Sequence, residues 1–146
     1  MVEKLLLDMK DAMRERDKEK LATIRMAKAA MDKEHIDNKK EIDDTLLVDV
    51  ITKEIKTRNE SLKEFEKGQR FDLVEKIKRE IDILKIYLPA AMTEEEVDYI
   101  IDDAFNEINP MSMRDMGKVM ALVTPKVKGR FDLSIVSSKI KARLDD

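Results

Sequence analysis

The chain has 146 residues, of which 42% are charged, 42% hydrophobic and only 4% aromatic, with three Gly and three Pro. That is enough apolar material to bury a core and exclude a disordered chain, and too few turn formers for an all-β fold. Cysteine is absent, which excludes disulfides, thiolate metal sites and thiol nucleophiles, and the net charge of −3 argues against a general nucleic-acid binder.

Leu5, Leu6, Met9, Ala12 and Met13 recur at helical spacing and predict a first helix of about four turns. Arg14–Asp17 interrupts that pattern, and Asp17 is placed to cap a second helix with the stripe Leu21, Ile24, Lys28 (by its stem) and Met31. That helix fades near Asn38. Asp44 or Thr45 is expected to cap a third helix carrying Leu47, Ile51, Ile55, Leu62 and Phe65, which ends at Lys67-Gly68. Val74, Ile77, Ile81, Leu84 and Leu88 define a fourth helix, stopped by Pro89. Residues 1–89 therefore read as an antiparallel bundle of about four helices.

Beyond Pro89 the pattern restarts. Thr93-Glu94-Glu95-Glu96 fits a capping box ahead of Val97, Ile100, Ile101, Ala104, Phe105 and Ile108. Asn109-Pro110 ends that helix. Ser112 opens a shorter one with Met113, Met116, Met120 and Val123, expected to close at Pro125. Asp132 caps a last helix with Leu133, Val136, Ile140 and Leu144. The fold expected is all-α: the bundle, then a small three-helix domain over residues 90–146.

Charge is unevenly spread. Residues 93–109 hold seven acids and no base. Residues 111–143 hold eight bases against the two acids Asp115 and Asp132. At the centre lies Lys126-Val127-Lys128-Gly129-Arg130, where glycine lets the backbone turn sharply or approach a ligand closely, and Lys and Arg beside exposed N–H groups suit phosphate. A solvated loop whose charges balance the acidic helix of the same domain is the competing reading.

No catalytic constellation emerges. The single His35 excludes multi-histidine metal sites, and neither of the glycine-rich nucleotide loops is present. No metal and no cofactor are expected. Met113, Met116 and Met120, at i, i+3 and i+7, read as core or as a soft groove. Lys53, Arg58 and Glu60 form a polar stretch inside the third helix, read either as exposed i, i+4 pairs or as a partner cleft between the two halves. The N-terminus mixes charges with apolar residues and has no signal-like h-region, and no apolar run is long enough to span a membrane. With cysteine absent, that predicts a cytoplasmic protein without a membrane partner.

Several runs taken in order resemble the YqeY family: Thr23–Met26, Lys53–Arg58, Phe65–Leu73, Tyr87-Leu88-Pro89, Met113–Met120 and Pro125–Arg130. The resemblance spans essentially the whole chain. It implies that the C-terminal part is similar to the tail domain of the B subunit of glutamyl/aspartyl-tRNA amidotransferase, a helical domain that contacts tRNA. The kinase and transamidation domains of that enzyme have no counterpart here. The function expected is a non-catalytic accessory module binding tRNA or another structured RNA through Lys118, Lys126, Lys128, Gly129, Arg130, Lys139 and Lys141, with Gly117 allowing tight helix packing. The alternative is an adaptor docking an amidotransferase subunit or aminoacyl-tRNA synthetase in the Lys53/Arg58/Glu60 cleft. A carbon–nitrogen ligase with glutamine as amido donor stands third, since the residues offer neither an ammonia source nor a phosphate-activating site.

Overall fold

The computed structural model describes residues 1–145 and is all-α, as the composition required. Among the described residues, seven α-helices divide between two compact units, the first Met1–Leu88 and the second from Pro89 onward.

In the first unit, α1 (Val2–Glu15) ends where Arg16 turns left-handed, at φ 59°, and Asp17 then caps α2 (Lys18–Asn38) by accepting the Lys20 N–H. The expected α2 stripe is rotated. Ile24, Ala27 and Met31 are buried with Thr23, whose hydroxyl returns to the Glu19 carbonyl at 3.0 Å, while Leu21 and Lys28 are only half-buried. α3 (Asp44–Lys67) is capped by Asp43, which accepts the Leu46 N–H at 2.9 Å, and not by Asp44 or Thr45. Asp44 serves a different helix end: its carboxylate accepts the Val2 N–H at 3.1 Å, supplying α1 with the N-cap its own sequence lacks.

A tight turn with Gln69 at φ 56° leads into α4 (Phe71–Lys85). Gly68 precedes that left-handed position and itself has an ordinary backbone. Contacts Arg58–Glu80, between α3 and α4, and Arg58–Met26, between α3 and α2, pair positions equidistant from each connection, so neighbouring helices run antiparallel. The helix α4 stops at Lys85, before Pro89 could stop it. The following turn carries Tyr87 into the core that also holds Leu5, Leu47 and Leu84, while Leu88 packs against that core only partly buried.

The second unit holds three helices and a short 3-10 turn among the described residues. Thr93 caps α5 (Glu94–Ile108) by accepting the Glu96 N–H, and Asn109 closes it left-handed at φ 53°. Ser112 opens a single 3-10 turn, Met113–Asp115, which runs directly into α6 (Met116–Val127). Pro125 does not end α6 and sits inside its last turn. Its missing N–H falls on a face where Ala121 and Pro125 are both exposed to water, which lowers the cost of the lost ladder bond. Asp132 caps α7 (Leu133–Leu144), as its position predicted. Val119, Val123 and Val127, spaced by four, pack with Val97, Ile101, Val136 and Ile140 into a core of its own. Met116 and Met120 flank that core, whereas Met113 is exposed.

Candidate nucleic-acid interface

The burial of Val119, Val123 and Val127 fixes which side of α6 faces outward. Gly117, Lys118, Ala121, Pro125 and Lys126 are all exposed, and Arg114 is exposed on the preceding turn. This is a strip of small residues edged by three cations, Lys118 and Lys126 lying about 12 Å apart along the axis. Lys126 and Arg114 form no ion pair among the described residues. The Nζ of Lys118 is 3.8 Å from Asp115 and remains largely exposed. Asp115 is itself engaged: the Met111 N–H, 2.8 Å away, is the main cause holding its carboxyl below the ordinary range. A Cβ built on Gly117 would meet nothing within 4 Å, so this glycine serves no helix packing, contrary to expectation, and leaves bare backbone on the outer face.

The loop after α6 is built differently. Lys128 caps α6 at ψ 129°, and Gly129 takes the left-handed φ of 75° that a side chain would strain. Arg130 faces back onto its own domain. Its carbonyl accepts the Met92 N–H at 2.8 Å, and its Nε donates to the Ala90 carbonyl at 2.9 Å. The first job of Arg130 is therefore to hold the segment entering the domain.

The bases of α7 divide. Glu94, Asp98 and Asp102 stand at i, i+4 and i+8 on α5, opposite Lys139 and Arg143 at i and i+4 on α7. Lys139 lies 2.6 Å from Glu94 and 3.0 Å from Asp98, and those hydrogen bonds raise its pKa. Arg143 lies 2.5 Å from Asp102 and stacks over the Phe105 ring at 4.2 Å. The charge-balance reading thus accounts for Lys139 and Arg143. Lys141 is exposed and outside that ladder.

Lys53, Arg58 and Glu60 do not form one surface. Lys53 and Glu60 are exposed, but Arg58 is buried at 6% exposure inside the first unit. Its Nη1 donates to Glu54 at 2.6 Å and its Nη2 to the Met26 sulfur at 3.5 Å. Its Nε has no hydrogen-bond partner, the Glu80 carboxylate standing 3.9 Å off. Sequence reading missed this burial because a run of polar residues signals solvent. The one available hint was Glu54 four residues before Arg58. Among the described residues, no group of acidic or histidine side chains is arranged to hold a metal, and no helix is long and apolar enough to cross a membrane.

Comparison with known proteins gives a consistent picture. Three curated relatives carry the name "Altered inheritance of mitochondria protein 41, mitochondrial". The one from Pyrenophora tritici-repentis is 35% identical over 141 residues, covering 94% of this chain and 77% of that protein. The Lachancea thermotolerans protein is 32% identical, covering 95% and 78%. The Kluyveromyces lactis protein is 42% identical over 92 residues, covering 60% and 50%. These names overturn the cytoplasmic expectation: the absence of cysteine and of a signal-like h-region does not separate the cytoplasm from the mitochondrial interior. A family model described as "Yqey-like protein" matches residues 2–144, and with these relatives it establishes that the chain belongs to the YqeY family.

Proposed function

We propose that this protein is a non-catalytic accessory module that binds tRNA or another structured RNA through the outer face of α6. The observation that carries the reading is the sorting of the C-terminal cations. Lys139 and Arg143 are neutralised by α5, Arg130 holds the domain's own entry segment, and Arg114, Lys118 and Lys126 remain on one exposed strip. Arg114 and Lys126 stand apart from carboxylates among the described residues, and Lys118 has only a long 3.8 Å pairing with Asp115 and stays largely exposed. Such cations are the ones able to displace counterions from a phosphate backbone. The strip has no aromatic side chain on which bases could stack, which suits recognition of backbone and shape. Lys128 and Lys141 extend the basic surface. The choice of tRNA rests on the similarity of this domain to the amidotransferase tail.

Binding of tRNA to the full chain across a salt series tests the reading, beside an Arg114→Ala/Lys118→Ala/Lys126→Ala variant. The expected result is tight binding at low salt that weakens steeply as salt rises. In the variant, the slope of log affinity against log salt should shrink by about 2 to 3. Unchanged affinity in the variant, or no binding at low salt, would sink it. In the second case a protein partner that survives high salt and nuclease treatment becomes the leading alternative.

A further inference from the structure

The oxidisable sulfur of this chain resides entirely in its ten methionines, because it has no cysteine. Among the described residues, Met26 is the one whose sulfur accepts a hydrogen bond from a buried charge. It is 52% exposed on α2, and its Sδ lies 3.5 Å from the Nη2 of Arg58. Arg58 is served unevenly: its Nη1 pairs with Glu54 at 2.6 Å, but its other nitrogens lack a strong acceptor within hydrogen-bond distance. It is only 6% exposed, its Nη2 faces a thioether, and its Nε has no hydrogen-bond partner. A thioether is a weak acceptor, and a buried guanidinium donor without a strong acceptor is costly.

We propose that Met26 is a reversible oxidation site, its sulfoxide held by the buried guanidinium of Arg58. Half of the side chain is open to a small peroxide. The sulfur lone pair attacks a peroxide oxygen, the S–O bond forms as the O–O bond breaks, and proton transfer releases water. Sulfur loses two electrons and the peroxide gains them. The new oxygen is a strong acceptor placed beside Nη2, so the pairing of Arg58 improves. In an ordinary core, by contrast, a polar sulfoxide disrupts packing. Oxidation here should therefore tighten the contact among α2, α3 and α4 rather than loosen it, and a methionine sulfoxide reductase would reverse it.

Two measurements on the full chain test this. Met26→Gln places a permanent amide oxygen near the position of the sulfoxide oxygen, and Met26→Leu removes the acceptor while keeping the bulk. The Gln variant should melt about 4 °C above the Leu variant. Protein treated with limiting hydrogen peroxide is then heated to its melting midpoint, and sulfoxide is mapped by mass spectrometry in the soluble and aggregated fractions. Met26 sulfoxide should be enriched about twofold or more in the soluble fraction, whereas sulfoxide at Met111, which is 91% exposed, should divide evenly. Three results overturn the proposal: a Gln variant no more stable than the Leu variant, Met26 sulfoxide collecting in the aggregate, or Met26 staying reduced while Met111 is oxidised.

Discussion

The Tyr87 hydroxyl donates a 2.5 Å hydrogen bond to Asp8 Oδ2, joining residues 79 apart in sequence. The Tyr87 ring is buried, and the Asp8 carboxylate also takes the Lys4 ammonium at 3.0 Å. This contact fixes the turn after α4 against α1, and it explains how a polar-tipped aromatic comes to occupy a core position.

Tyr87→Phe keeps the ring and deletes the donor. Because Asp8 retains Lys4, the expected loss is about 1–2 kcal/mol, read as a lower urea midpoint with an unchanged slope. A midpoint equal to wild type would mean that water replaces the phenol without cost.

The pH dependence of stability follows from the same pair. Burial would raise the Asp8 carboxyl, but the Tyr87 hydroxyl and Lys4 outweigh it and hold the carboxyl below its ordinary value of 3.8. A depressed folded-state pKa contributes stability above the unfolded value, which is lost as pH falls through the folded one. For Tyr87, burial first and then Asp8 push the phenol upward, so its contribution is complete below the ordinary 10.0 and declines above it. Asp8→Asn should accordingly flatten the acid limb of a stability–pH profile below about pH 4, and Tyr87→Phe the alkaline limb above about pH 10. Profiles parallel to wild type would refute the assignment.

Arg58→Met should cost about 2–4 kcal/mol, because it leaves the carboxylates of Glu54 and Glu80 without their shared cation in a largely buried setting. Adding Glu54→Gln and Glu80→Gln to that variant should recover much of the loss. Equilibrium unfolding in denaturant of the single and triple variants decides it. If the triple variant is the less stable, the charges were not the cause.

Lys139→Glu and Lys126→Glu make a discriminating pair. The first places a like charge beside Glu94 and Asp98 and should lower the melting temperature by roughly 4 °C, an effect that high salt reduces. The second reverses an exposed cation with no ion pair among the described residues, and should leave melting unchanged while weakening RNA binding. Equal effects of the two on RNA affinity would contradict the division of cations described above.

Several helix ends were legible because the local sequence announces them: Asp17, Thr93 and Asp132 cap where local sequence placed them, and Asn109 closes where expected. What stayed hidden depends on neighbours distant in the chain. Asp43 and Asp44 look interchangeable as caps until the start of α1 claims one of them. Leu88 fits the α4 periodicity better than Tyr87, but the period ceases to apply once the helix ends at Lys85. Within the candidate site, the wealth of positive charge was visible, but its commitments were not. Lys126 and Lys139 read alike as letters, and only the packing of α7 on its partner separates a paired lysine from an open one.

Arg130, which grips the chain at Ala90 and Met92, bears on how the protein would come apart in a digest. No Lys or Arg occurs between Lys85 and Arg114, so trypsin finds no cleavage site where one unit gives way to the next. The exposed Lys39–Lys40, between α2 and α3, is the more open target. The first stable fragments should thus break within the four-helix bundle and carry the junction of the two units intact, so that a fragment map would mark a boundary where the fold has none.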